Sequence, residues 1–375
     1  MKKRTKGIYT FSTKTFEDGF IKDRYTERTK EHGDNIMMDD YEILTFINSV
    51  LLWKKNIGPT KLYTDKKGKE FLGNCISLDI FDEIDIQTLE DFYKNSDVNH
   101  RQFFAASKVC ALANEKVPFC SVDVDLIYRG DGKNLCKGEL TTLHLEKITK
   151  SAYPNPKKFK ENKNSNILTK YKWRKKTAIN CGLLYFGNQE VLDTYTKEAL
   201  NFMKNNPTEF DENDGRTTIM TCVEQRLLSE VAHKMKVKVK SLVKVPFNNE
   251  QPLDFLNETY HDFGIVPEIS WDGLGVGLNG EVLHLWGHKI FLSQDLRVWD
   301  SILGGMKNEE NERRLFLVYH LKREMYKNFE SEYETIMGKL EDNTHIIKCN
   351  NFSRNINLGP QDNVFLSEED KIFGA

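Results

Sequence analysis

Between Pro118 and Tyr128 the chain reads Pro-Phe-Cys-Ser-Val-Asp-Val-Asp-Leu-Ile-Tyr, its most apolar strand-like run, and two carboxylates, Asp123 and Asp125, sit inside it. In an extended segment residues two apart face the same way, so both side chains are expected on one face. Two like charges in a buried strand are costly unless a cation neutralises them. Two carboxylates near a strand's carboxyl end suit a hard divalent ion, Mg²⁺ or Mn²⁺, whose coordination phosphate oxygens can complete. A D-x-D pair alone is weak in a chain with 29% charged residues; its apolar setting is what makes a metal or phosphate role the stronger reading.

The flanking segments predict how such a strand is covered. Apolar residues at 43, 44, 46, 47, 50, 51 and 53 follow the helical period from about Asp39 to Lys55. Asp39 with Glu42 forms a capping box, and Gly58-Pro59 marks the stop. With strands at Ile8 to Phe11 and Lys61 to Thr64, this helix makes a βαβ unit, the building block of a parallel sheet with helices on its faces. Residues 78 to 97 carry seven acids against Lys94 alone and read as a solvated connection with a short helix. A helix from about His100 to Asn114 leads into the Asp123 strand. A strand from Ala178 to Phe186, helices from about Gln189 to Lys204 and Thr217 to Lys236, and a strand from Val237 to Val243 follow. Ile269 to Lys289 is rich in Gly and Trp with short strands. Beyond about Gln294 the pattern is helical, with Leu315, Leu317, Val318, Leu321 and Met325 among many charges. The expected organisation is an α/β domain over 1–293 and a helical C-terminal extension with a polar tail over 294–375.

Composition excludes several classes. Fifty-four Lys and Arg against 56 Asp and Glu leave a net charge of −2, which argues against a uniformly basic nucleic-acid binder. No window is apolar enough for a membrane span or a signal peptide. Seven scattered cysteines without a C-x-x-C pair indicate neither a disulfide framework nor a zinc ribbon, and a reducing, cytoplasmic setting fits. The near-neutral total conceals a basic segment, residues 156–176, with nine Lys and Arg against Glu161. It reads as a long loop, an insertion in the α/β domain.

Three later segments place polar groups in apolar runs. Asn180-Cys181-Gly182 interrupts a strand, where an amide and a glycine permit close approach of a ligand. Glu224-Gln225 opens the apolar half of a helix. His284, after Val282-Leu283, is a candidate third metal ligand through neutral imidazole. Singly they are a turn glycine, a solvated pair and a core histidine; their order along the chain is the signal.

The series of an early βαβ ending in Thr64-Asp65, Asp123-Val124-Asp125, Asn180-Cys181-Gly182, Glu224-Gln225 and His284-x-x-Gly287 resembles the GT-A fold glycosyltransferases. Within them it is most similar to glycosyltransferase family 8, the glycogenin-like and lipopolysaccharide-galactosyltransferase-like group, over roughly residues 5 to 290. The resemblance implies a Rossmann-like, mixed but mostly parallel sheet flanked by helices. It implies Mn²⁺ or Mg²⁺ held by Asp123, Asp125 and His284, with a nucleotide-diphosphate sugar, UDP-linked, as donor. Gly287 and Lys289 would lie against the diphosphate, and Tyr9, Thr10 and Asp65 would border the base and ribose. Asn180 beside Gly182 would face the donor sugar, and Lys108 would reach the sugar or phosphates. Glu224-Gln225 corresponds to the family's Asp-Gln pair beside the reacting carbon. The chain departs from the family's H-x-x-G-x-x-K-P-W pattern: Lys289 comes one residue early, Ile290-Phe291 replace Pro-Trp, and His288 adds a polar position.

The expected chemistry is hexosyl transfer to a hydroxyl of a glycan, lipid-linked or other acceptor. If retaining, the departing phosphate takes the acceptor's proton and Gln225 or Glu224 stabilises the oxocarbenium-like centre; if inverting, Glu224 is the first candidate base. Three alternatives stand beside it, the first two using the same Asp pair. The Asp pair also resembles the nucleophile motif of haloacid-dehalogenase-like phosphatases, although no later Asp-Asp pair follows. A metal-dependent nucleotidyltransferase normally brings a Gly-rich N-terminal loop that Gly7-Ile8-Tyr9-Thr10 does not supply. A non-catalytic sugar- or nucleic-acid-binding protein would use loop 156–176, where Phe159, Tyr171 and Trp173 interleave with the cations to stack on bases. An intermediate expectation is that this loop recruits an anionic acceptor.

Overall fold

In the computed structural model the described residues are 4–14, 36, 38–100, 102–149, 153, 155–156, 159–162, 164–206, 216–243, 265–266, 281–285, 307–342 and 347–348. Strand β1 (Lys6–Phe11) is followed by the short β2 (Met38–Asp39) and helix α1 (Asp40–Asn56). The capping box forms at Asp39, whose N–H donates to Glu42 Oε2 at 3.0 Å. The helix stops where Ile57 and Gly58 N–H both turn back to the Trp53 carbonyl, 2.8 and 3.1 Å away. Strand β3 (Thr60–Thr64) then pairs parallel to β1 with Tyr9 opposite Leu62, so the expected βαβ unit is present.

Helix α2 (Lys66–Cys75), strand β4 (Glu83–Asp85) and helix α3 (Gln87–Lys94) come next. The acidic stretch is therefore structured beyond one short helix. Lys61 neutralises part of it, at 2.6 Å from Glu83, while Leu89 and Phe92 turn inward. Helix α4 spans only Ala106–Ala113, shorter than the periodicity suggests, because Phe103 enters the core from the turn before it. The apolar run around Asp123 is not one strand. It divides into β5 (Phe119–Val122) and β6 (Leu126–Tyr128), separated by a turn closed by Leu126 N–H to the Asp123 carbonyl at 3.1 Å.

Strands β7 (Leu140–Thr142) and β8 (Leu145–Lys147), helix α5 (Ile167–Lys170) and strands β9 (Thr177–Ile179) and β10 (Leu183–Phe186) follow. The expected Ala178 to Phe186 strand is thus broken at Asn180-Cys181-Gly182. Helix α6 (Gln189–Lys204) has the expected bounds. The next expected helix is three pieces: α7 (Arg216–Thr221), one π-type turn at Cys222–Arg226, and α8 (Leu227–Lys234). Then come β11 (Val239–Ser241), β12 (Ile265–Val266), β13 (Val282–His284), α9 (Lys307–Asn328), α10 (Glu330–Asp342) and β14 (Ile347–Lys348).

The main sheet has the order β11-β7-β10-β5-β1-β3-β4. All its pairings are parallel except those of β10, which runs against both β5 and β7. The α/β expectation, a mixed but mostly parallel sheet flanked by helices, is met. Alternation along the strands feeds two cores. Leu183 and Tyr185 join α1 and α9 on one face; Leu184 and Phe186 join α4, α6 and α8 on the other. The C-terminal helices share the first core, α9 through Leu317, Leu321 and Met325 and α10 through Ile336 and Leu340, and Asn48 Nδ2 donates to the Leu321 carbonyl at 3.0 Å. A smaller sheet, β12-β13-β6, stands at the carboxyl end of β5. Among the described residues no helix is long and apolar enough to cross a membrane.

Segment 156–176 differs from an open loop. Phe159 and Tyr171 are buried in the second core, and Trp173 Nε1 donates to the Leu168 carbonyl at 3.1 Å. The Arg226 guanidinium lies 5.6 Å from the Trp173 ring centre. Glu161 accepts from the Ile167 and Leu168 amides, closing the turn into α5. The three aromatics that the alternative binding-protein reading would use for base stacking are packed here, Phe159 and Tyr171 within the second core and Trp173 against it.

Candidate metal and donor site

The parallel strands β1, β3 and β5 end on one edge of the sheet, and Asp123 is the first residue past β5. The turn after it carries Asp125 back toward β13, which pairs antiparallel with β6 so that His284 lies opposite Leu126. Leu285 N–H closes this corner on the Asp125 carbonyl at 3.0 Å, and Asp123 N–H donates to the Gly182 carbonyl at 2.8 Å. Asp123, Asp125 and His284 each offer a ligand atom, all within 4.8 Å of one another. His284 Nε2 is 3.7 Å from Asp125 Oδ1. Two ligands bound at about 2.1 Å to one ion stand about 3.0 to 4.2 Å apart, so this pair fits a shared cation without rearrangement.

Gly182 is part of the fit. A Cβ there would meet His284 Cε1 at 2.7 Å and Nε2 at 3.2 Å, so the imidazole occupies the space a side chain would take. The break in the expected strand at 180–182 is what brings this bare backbone against the ring.

Lys108, from α4, fills the other side. Its ammonium lies 2.5 Å from Asp123 Oδ1 and 2.8 Å from Glu224 Oε1, and it donates to the Cys181 carbonyl at 2.8 Å. All three of its N–H donors are thereby used. Its pKa is raised: burial opposes the charge but Asp123 and Glu224 outweigh it, so it stays an ammonium. Asp123 is pushed up to about 7, by burial first and then by Asp125 and Glu224, against Lys108. With 32% side-chain exposure it is the member of the cluster open to solvent.

Glu224 and Gln225 lie on the π-type turn, where Leu227 N–H reaches back to the Cys222 carbonyl. A wide turn of this kind leaves backbone carbonyls off the helical ladder. Tyr195 Oη supplies a donor to the Glu224 carbonyl at 2.9 Å. Gln225 is held by the Tyr153 hydroxyl, which also contacts Glu146 Oε2 at 2.6 Å. Glu146 Oε1 in turn accepts from Asn180 Nδ2 at 2.8 Å, and Asn180 Oδ1 accepts from Gly182 N–H at 3.0 Å. Burial works against ionised Glu146, but His144 at 3.4 Å and the bonds from Asn180 and Tyr153 outweigh it and hold its carboxyl below the usual range.

The structure therefore brings together Asp123, Asp125, His284, Lys108, Glu224, Gln225, Asn180 and Gly182. It holds Tyr9 apart: the ring is fully buried against α1 and its hydroxyl lies 3.1 Å from Ser49 Oγ. Thr10 is half-buried on β1 opposite Tyr63. Asp65 caps α2, accepting from Gly68 N–H and Thr13 N–H, each at 2.7 Å. Gly287, His288 and Lys289 lie outside the described residues. Glu146 and Tyr153 are the residues that sequence reasoning passed over. The alternating His144-Leu145-Glu146 pattern is the available signal, formally the same as that of the Asp pair.

Fold and cluster together define an α/β protein with a carboxylate and imidazole donor set at the carboxyl edge of its sheet. Residues 21–269 match the family of unknown function DUF6734, and the chain belongs to that family. No curated protein matches the sequence. Among solved structures the chain is similar to the apo form of the glycosyltransferase GlyE from Streptococcus pneumoniae TIGR4, at 15% identity and a TM-score of 0.36. That match covers 87% of this chain and 64% of GlyE, so the chain spans less than two thirds of that protein's length. It is also similar to an active-site mutant of LgtC, at 9% identity and a TM-score of 0.34, over 82% of this chain and 95% of that one.

Proposed function

We propose that the protein is a divalent-metal-dependent glycosyltransferase that takes a nucleotide-diphosphate sugar, UDP-linked in the first instance, and transfers the sugar to an acceptor hydroxyl. The observation that carries this reading is the convergence of Asp123, Asp125 and His284 beside Gly182 at the sheet edge, with Lys108, Glu224, Gln225 and Asn180 fixed around the same opening. A divalent cation held there would supply Lewis-acid stabilisation for a diphosphate leaving group. The chain's own residues do the rest. Lys108 draws the Asp123 and Glu224 carboxylates toward one point, and Glu146 fixes the Asn180 amide and, through Tyr153, that of Gln225.

Glu224 is held by a full ammonium rather than left available as a base, which favours charge stabilisation and retention of configuration over inverting chemistry. The packed aromatics of 156–176 argue for an acceptor met by surface cations, a glycan or other anionic acceptor, rather than by base stacking. The test is a thermal-shift panel of UDP-, GDP- and dTDP-sugars with and without Mn²⁺. A donor shift that requires Mn²⁺ and disappears in Asp125→Ala is expected. No shift with any donor, or an equal shift in Asp125→Ala, overturns the reading.

A further inference from the structure

A second site lies at the opposite end of β5. Pro118 precedes the strand whose other end is Asp123, five residues or about 16 Å away at strand rise. There a cavity of about 880 Å³ is lined by Arg4, Thr5, Lys133, Cys136, Lys137 and Tyr185, with Asp131 as its single acid. Lys133 is paired with Asp131, whereas Arg4 and Lys137 have no ion-pair partner among the described residues. Cys136 is half-buried on the wall, and its sulfur is 3.9 Å from that of Cys120, which is fully buried behind it on β5.

We propose that this cavity is a thiol–disulfide exchange site for anionic low-molecular-weight disulfides, with Cys136 as the attacking sulfur and Cys120 as the resolving one. The Cys136 thiolate attacks one sulfur of RS–SR. A Cys136–S–SR bond forms, and RS⁻ leaves with the electron pair of the broken S–S bond. Cys120 then attacks Cys136 Sγ and gives up its proton, the second RS⁻ departs, and the protein disulfide is made. Two protein thiols are oxidised and one small disulfide is reduced to two thiols.

The roles follow from position. Cys136 meets the cavity, while Cys120 is fully buried with its sulfur beside that of Cys136. The Cys120 thiol and the Thr5 hydroxyl favour the Cys136 thiolate and bring it down to about 7 against the opposing effect of burial. Burial keeps the Cys120 proton on until a mixed disulfide forms beside it. Arg4 and Lys137, two cations without an ion-pair partner among the described residues, give an anionic reagent a higher local concentration than a neutral one. The proposal stands apart from the donor-site reading, since none of its residues belongs to that site.

The test uses the 375-residue chain carrying Cys349→Ser, which removes a cysteine that lies outside the described residues, with the dianionic disulfide DTNB and the uncharged dithiodipyridine as probes. Cys136 is expected to react with DTNB faster than free cysteine does, to release two TNB while retaining none, and to yield a Cys120–Cys136 disulfide on peptide mapping. Arg4→Gln with Lys137→Gln should slow DTNB about tenfold and leave dithiodipyridine unchanged. Cys120→Ser should stop at one released TNB with one bound. A Cys136 no faster than free cysteine, a Cys349→Ser chain that retains one TNB, or equal slowing of both probes overturns the proposal.

Discussion

Replacing Gly182 by alanine probes the donor set without touching a ligand. The new Cβ would sit 2.7 Å from His284 Cε1, whereas carbon atoms rest at about 3.5 to 4.0 Å, so the ring must retreat by about 1 Å. Asn180 Oδ1, 3.1 Å from the same point, closes part of the space it would otherwise take. The His284 backbone cannot follow, because it is paired with Leu126. Strain of this kind costs about 1 to 3 kcal/mol of stability, which leaves the chain folded. On the proposed reading, an imidazole moved about 1 Å would no longer be at ligand distance from an ion that Asp123 and Asp125 would still hold, and the expected loss in Mn²⁺ affinity is about 10- to 100-fold. Calorimetric Mn²⁺ titration of wild type, Gly182→Ala, His284→Ala and the double variant measures it. If the glycine acts through the ring, the double variant binds no worse than His284→Ala alone. Wild-type affinity in Gly182→Ala, or additive losses in the double variant, would refute the reasoning.

Proton competition gives a second outcome. With Asp123 raised to about 7, apparent Mn²⁺ affinity should be level above that pH and fall by up to about tenfold per unit below it, read by titrations from pH 8 to 5.5. In the metal-free chain the sign is opposite: the stability associated with the protonated carboxyl is complete below its ordinary 3.8 and is lost as the pH rises through about 7. Lys108→Met leaves Asp123 and Glu224 without their cation. Urea denaturation should show a loss of about 3 kcal/mol, the low end for orphaning a buried pair because Asp123 keeps 32% exposure, and Mn²⁺ should restore more stability to this variant than to wild type.

The local features were legible from residues alone wherever one element decides them. Asp39, Glu42, Gly58 and Pro59 bound α1 because capping and termination are short-range, and Gln189–Lys204 shows its period plainly because one face packs on α4. The same reasoning failed where a side chain answers to a distant partner. Phe159, Tyr171 and Trp173 lie in a charge-rich, proline-flanked stretch that reads as solvated, and only the second core's surface makes the first two core and packs Trp173 against them. Tyr9 looked available to a ligand and is spent on Ser49, because strand alternation turns it toward α1.

For the site, the sequence by itself determined the donors: two carboxylates two apart, a histidine, a glycine after an amide. Their meeting is tertiary. An extended strand would have aimed Asp123 and Asp125 in parallel; instead the chain turns between them and starts a second sheet, and that sheet carries His284 across from β13. Lys108, Glu224 and Glu146 arrive from three further elements, and no spacing rule links them. Electrostatics is the reason they must meet: each buried charge needs an opposite charge or a fixed dipole within a few ångströms, and folding supplies those partners from whichever segments the two cores bring to the same sheet edge.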